Sequence, residues 1–156
     1  MQPSELIDER YRVVSRLGEG RMGEVYGVSD INAEGVPYAL KLLRDESLND
    51  AFVEEYRLLR SLGHPAFVFA YALGYEEEGN HLYMLLERVD GASLEDYSGP
   101  VDAGRLCLTL LSALEHLHGH GLVHGDIAPP NVIVSKTDFR ILDLGAAGNI
   151  GSGAGS

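Results

Sequence analysis

"VHGDIAPPN" occupies residues 123–131, with His124, Asp126 and Asn131 at fixed spacing and two prolines among them. The stretch reads in two ways. One is a proline-stiffened turn that happens to carry polar residues. The other is a working loop in which Asp126 and Asn131, five residues apart, converge on one point. A carboxylate and a side-chain carbonyl are hard oxygen donors suited to Mg²⁺, and a carboxylate also accepts a hydroxyl proton. A single aspartate is more often a turn residue or helix cap than a ligand. The surrounding chain has to decide.

Downstream, "NVIVS" reads as a short strand, "KTD" as a turn and "FRILDL" as another strand. Asp143 follows that apolar strand directly, where an aspartate has no structural purpose, and Gly145 frees the backbone after it. The last twelve residues contain five glycines and read as a flexible loop or linker. Upstream, "DAGRLCLTLLSALEHLHGHG" is the strongest helix, with Leu106, Leu110, Leu114 and Leu117 along one stripe. "DGASLEDYSGP" before it is a connection with room for one short helical turn.

Further back, "AFVFAYALGYEE" and "HLYMLLERV" read as strands around a polar turn. Residues 48–62 place Leu48, Phe52, Tyr56, Leu59 and Leu62 at helical spacing, ended by "GHP". "YRVVSRLGEG", "GEVYGVSD" and "VPYALKLL" are three more strands, the first two joined across a glycine cluster. Five antiparallel strands with one inserted helix, followed by the start of a helical region, make an α+β fold rather than an alternating parallel sheet.

Bulk properties narrow the partners. Across 156 residues, twelve basic side chains face twenty-four acidic ones, a net charge of -12. That surface repels nucleic-acid phosphates and anionic lipid, so no nucleic-acid partner is expected. A bound polyanion must be held by local groups or a bridging metal ion. Cys107 is the only cysteine, which rules out an intramolecular disulfide and suggests a reducing, cytoplasmic setting. The acidic start lacks the order of a signal peptide, and no apolar run reaches the ~20 residues of a membrane span. His116, His118 and His120 do not form an expected metal site. On a helix the first and third share a face and the second does not.

Two further features carry chemistry. Gly18, Gly20 and Gly23 are spaced G-x-G-x-x-G, with Val25 two residues on. Glycines let a backbone approach phosphates closely, although a glycine-rich hairpin turn has the same appearance. A strand, not a helix, follows them, which excludes a dinucleotide-binding turn, and the lysine–serine/threonine pair of a Walker loop is missing. Lys41 stands among apolar residues in "YALKLL", where a buried ammonium needs an anion. Glu55 on the helix is the expected partner, and Glu54 ranks second because it points about a quarter-turn away.

Taken in order, these features are G-x-G-x-x-G-x-V, A-x-K, a helix glutamate before "LGHP", H-x-D-x-x-x-x-N and D-x-G. The set resembles the eukaryotic-type, serine/threonine-like protein kinase family from about Tyr11 to the end of the chain. The resemblance implies ATP and Mg²⁺ as cofactors and a protein as substrate or regulatory partner. It implies that Gly18, Gly20, Gly23 and Val25 cover the phosphates and adenine, and that Ala39 lines the adenine pocket. Lys41 would hold the α/β-phosphates and pair with Glu55. Leu86 would be the gatekeeper, with the backbone of Glu87 and Val89 meeting adenine. Asp126 would be the catalytic base, and Asn131 and Asp143 would bind Mg²⁺. The implied organisation is a polar lead (1–10), an N-lobe (11–90), a partial C-lobe (91–145) and a glycine-rich activation-segment start (146–156).

The sequence also departs from the family. Gly125 replaces the arginine of H-R-D, a change shared with small-molecule phosphotransferases. Ala128 stands where serine/threonine kinases have a lysine that steadies the transferring phosphate. These departures keep open a regulatory pseudokinase that binds ATP or only a partner, and, behind it, a small-molecule phosphotransferase. The family continues through further helices, so an incomplete chain with a largely uncovered Leu106–Leu117 stripe is expected.

Overall fold

The computed structural model describes residues 5–20, 22–76, 79–123, 127–142 and 148–149. In chain order these form β1 (Leu6–Ile7), β2 (Tyr11–Gly20), β3 (Gly23–Asp30), β4 (Val36–Leu43), α1 (Asn49–Leu62), β5 (Ala70–Glu76) and β6 (His81–Glu87). There follow β7 (Ala92–Ser93), α2 (Ala103–Gly119), β8 (Leu122–Val123), β9 (Val132–Val134), β10 (Phe139–Ile141) and β11 (Gly148–Asn149). The chain divides into two compact units, Met1–Arg57 with Phe69–Arg88, and Leu58–Val68 with Val89–Ser156.

The first unit is built on an antiparallel sheet of order β1-β2-β3-β4-β6-β5. The five expected strands are present, and β1 extends the sheet from within the acidic lead. Asp8 and Glu9 both adopt left-handed backbone (φ 53° and 51°), and the Arg10 N–H donates to the Ile7 carbonyl at 3.1 Å. That is the tight hairpin turn whose twist matches its strands.

One sheet face carries a core of Ile7, Tyr11, Val13, Tyr26, Val28, Leu40, Leu42, Tyr83 and Leu85. Beside it, the buried Asp30 carboxylate accepts from Arg10 Nε and Nη2 at 2.7–3.1 Å and from the Asn32 N–H at 2.9 Å. The Arg10 hydrogen bonds hold this carboxyl below its ordinary range. Its contribution to stability is therefore present above the ordinary aspartate pKa and is lost as pH falls through the depressed one.

α1 follows a 3-10 turn at Glu46–Leu48 that Asp45 caps by accepting from the Ser47 N–H at 3.0 Å. It ends where Gly63 turns left-handed (φ 57°) ahead of His64 and Pro65. Phe52, Glu55, Leu59 and Leu62 are its buried positions, so a carboxylate lies in the apolar stripe, while Glu54 is exposed and pairs with Arg57.

In the second unit, Asp102 caps α2 by accepting from the Arg105 N–H at 3.0 Å. The β9–β10 hairpin buries Val132, Val134 and Phe139, with Leu94, Tyr97, Leu106 and Leu110 packed against it. This corrects the expectation of an uncovered leucine stripe. Leu117 is fully buried and the hairpin takes Leu106 and Leu110, whereas the exposed leucines, Leu108 and Leu111, lie off the stripe. The connection before α2 makes the single helical turn expected of it, with the Tyr97 N–H reaching the Ser93 carbonyl at 2.9 Å. Strand β7 precedes that turn and pairs with β9. Gly148 and Asn149, read from composition as loop, pair antiparallel with Val123 and Leu122.

Candidate active site

Strand register decides which side chains share a surface in the first unit. Val25 lies opposite Lys41 and Gly27 opposite Ala39 across β3–β4. Lys41 lies opposite Met84 and Ala39 opposite Leu86 across β4–β6. Directly paired residues point to the same side, and side chains alternate along a strand. Val25, Ala39, Lys41, Met84 and Leu86 therefore occupy one face, opposite the hydrophobic core described above. Five of the expected residues are tied together through this register and α1, counting Glu55.

Lys41 Nζ donates to Glu55 Oε2 at 2.8 Å, with both side chains at most 5% exposed. The ammonium also lies 5.9 Å from the Phe52 ring centroid. Of the two candidate glutamates, Glu55 is the partner and Glu54 faces solvent. A buried ion pair of this kind adds little net stability, because the desolvation of both ions offsets their attraction.

The glycine cluster closes the β2–β3 hairpin, with Gly18 opposite Val25 and Gly20 opposite Gly23. The glycines differ in purpose. A Cβ at Gly23 would stand 1.9 Å from the Leu42 carbonyl oxygen, so close packing of β3 on β4 demands glycine there. A Cβ at Gly18 would meet nothing within 4 Å, so no close contact demands glycine there. Glu24 anchors the hairpin next to its tip, accepting from Arg44 Nε at 2.7 Å, Tyr26 Oη at 3.0 Å and Arg16 Nη2 at 3.1 Å. The Arg44 bond holds its carboxyl below the usual range.

At the end of β6 the Glu87 N–H donates to the Phe69 carbonyl at 2.8 Å, and its carboxylate accepts from the Phe69 N–H at 3.2 Å. The N–H of Glu87 is thus committed within the sheet. The reading from sequence missed Met84, which period-two alternation back from Leu86 would have found. It also missed Arg88, whose Nη1 lies where a Cβ at Gly27 would come within 2.2 Å. Only a residue without a side chain lets the guanidinium lie there.

In the second unit Asn131 closes a 3-10 turn at Pro129–Asn131, its N–H donating to the Ala128 carbonyl at 2.9 Å. The Asn131 carbonyl accepts from the Leu142 N–H at 2.9 Å, beside the Val132–Ile141 pair of the β9–β10 hairpin. The hairpin therefore brings Asn131 to the residue that immediately precedes Asp143. Val89 begins the second segment of this unit and is half-buried. Asp126 and Asp143 themselves, with His124 and Gly125, lie outside the described residues. Among the described residues no group of three metal-ligating side chains is poised to hold a metal ion.

The protein kinase domain family matches residues 11–155. The chain belongs to the protein kinase family. Its relatives include the serine/threonine-protein kinase pkn2 of Myxococcus xanthus, 36% identical over 92% of this chain and 19% of that protein. The DNA damage-responsive serine/threonine-protein kinase RqkA of Deinococcus radiodurans is 35% identical over 93% of this chain and 23% of its own length. The serine/threonine-protein kinase PrkC of Bacillus subtilis is 33% identical over 90% and 23%. The chain thus spans about a fifth to a quarter of these curated relatives. Among the described residues no helix is long and apolar enough to cross a membrane.

Proposed function

We propose that this chain carries the nucleotide-binding and catalytic-loop part of a serine/threonine protein kinase that transfers the γ-phosphate of ATP to a protein hydroxyl in the cytoplasm. The observation that carries the reading is the buried Lys41–Glu55 pair on the sheet face shared with Val25, Ala39 and Leu86. Evolution has little stability to gain from such a pair, so its purpose is to present an oriented cation. Glu55 fixes the rotamer of Lys41, and the ammonium meets the α/β-phosphates. Gly18, Gly20 and Gly23 offer backbone N–H groups to the phosphates. Val25, Ala39 and Leu86 form the apolar walls around adenine. Because the Glu87 N–H is spent on Phe69, the groups that meet the base are the Glu87 carbonyl and the Val89 backbone.

Asn131 and Asp143 are the oxygen donors for Mg²⁺, and the Asn131–Leu142 bond supports their being held at one end of the hairpin. Bound there, the ion would neutralise charge on the phosphates. Asp126 orients the substrate hydroxyl and accepts its proton. The substrate is a serine or threonine hydroxyl of a protein. The test is phosphotransfer by the full-length protein and its Asp126→Ala variant. Transfer is expected to disappear in the variant, and undiminished turnover would overturn the assignment.

A second reading is favoured by Ala128. It is half-buried in extended backbone and offers no cation where the family's lysine steadies the γ-phosphate. In a regulatory pseudokinase, nucleotide binding or partner binding would persist without useful turnover. Gly125 alone supports a small-molecule phosphotransferase, and it is outweighed by the serine/threonine kinase relatives.

A further inference from the structure

Three histidine rings from two separate stretches of chain meet in the second unit. His64, in the turn after α1, lies 4.9 Å from His116 on α2, and His116 lies 4.6 Å from His120, centroid to centroid. With Ser112, Glu115 and Gly119 they line an open cavity of about 420 Å³. The hydrogen bonds assign a different task to each ring. His116 Nε2 donates to the Leu62 carbonyl at 2.7 Å, and His120 Nδ1 donates to the His116 carbonyl at 2.8 Å. In both bonds the ring nitrogen is the donor, because a carbonyl can only accept.

His64 is the exception. Its Nδ1 accepts from the Ala66 N–H at 3.1 Å, which requires that nitrogen to be bare, and its Nε2–H then serves Ser112 Oγ at 3.1 Å. A proton on Nδ1 abolishes the first bond. Ala66 is buried, and its carbonyl accepts from the Ile141 N–H at 2.6 Å. The Val68 N–H returns to the Ile141 carbonyl at 3.2 Å, and Arg140 Nη2 donates to the Phe67 carbonyl at 2.9 Å. The turn that His64 holds is therefore the seat of β10.

We propose that His64 is a proton-operated latch: neutral, it holds Ala66 in the conformation that seats β10, and protonated, it releases it. The titratable groups that line the cavity with the ring are Glu115, His116 and His120 on α2, while Arg140 of β10 reaches the Phe67 carbonyl three residues on from His64. Burial, and then the neighbouring His116, push the His64 pKa down. A depressed histidine pKa gives stability that is full above the ordinary value near 6.5 and is lost as pH falls through the depressed one, so the latch opens in acid. On the kinase reading, on which this consequence rests, β10 runs straight into Asp143, and opening weakens Mg·ATP binding.

The test is amide exchange at Ala66 and Ile141 between pH 7.5 and 5.5, expressed as protection relative to the intrinsic rate. The comparison is His64→Asn, whose carbonyl can still accept from Ala66 and gains no proton. Protection in the wild-type protein is expected to fall by up to about tenfold per pH unit once His64 titrates, and to stay flat in the variant. A flat wild-type profile, or an equal fall in His64→Asn, would overturn the latch. Should the variant not fold, the wild-type ring resonances serve. His64 protonation must then coincide with the Ala66 amide change, and titration without that change overturns the proposal. Mg·ATP binding at pH 7.5, with the latch closed, tests the nucleotide reading separately.

Discussion

Lys41→Ala will abolish phosphotransfer in the full-length protein and will also destabilise the fold by about 3–5 kcal/mol, the usual cost of removing one partner from a buried ion pair. Glu55 is 2% exposed and would lose its 2.8 Å partner within an apolar stripe that includes Phe52. The two effects separate. A Lys41→Met, Glu55→Leu double variant removes both charges and fills the space, so much of the stability should return while transfer stays absent. Urea unfolding and a transfer assay on the same samples check both halves. Wild-type turnover in Lys41→Ala would contradict the role of the pair, and wild-type unfolding would contradict its burial.

Ala128→Lys should raise the rate of transfer by about 10²–10³, the usual magnitude for one electrostatic contact to a developing charge. Position 128 accepts the change locally. Its backbone is extended (φ −141°, ψ 155°), a conformation lysine adopts without strain, and its carbonyl bond to Asn131 does not involve the side chain. Single-turnover kinetics at saturating Mg·ATP would isolate the chemical step. A gain of that size marks a catalytic loop weakened at one contact. An unchanged rate would favour the pseudokinase.

Much of the architecture was legible because periodicity carries it. The five main strands and α1 follow from apolar spacing, and the same spacing separates Glu55 from Glu54 by placing only the former in the buried stripe. Strand β1 was not legible. It has two residues, and its turn rests on left-handed backbone at Asp8 and Glu9, which side-chain chemistry does not advertise. The leucines of α2 show a different limit. Spacing identified the stripe, but coverage depends on a hairpin more than twenty residues downstream that returns to pack on Leu106 and Leu110. At the site, motif order named Lys41, Glu55 and Asn131, while three-dimensional pairing added Met84 and the Arg88–Gly27 contact. The histidines of "HLHGHG" looked like a failed metal set. Their partner, His64, comes from a turn roughly fifty residues earlier, beyond the reach of local spacing.

The most direct measurement of the central claim is thermal unfolding of the chain with and without Mg·ATP, beside its Asp143→Ala variant. A ligand that binds only the native state, at ~100 times its dissociation constant, adds roughly 2.7 kcal/mol. The account predicts one cooperative transition that rises by that amount in the wild-type chain and fails to rise in the variant. A sharp transition indifferent to Mg·ATP, or an equal rise in Asp143→Ala, would contradict it.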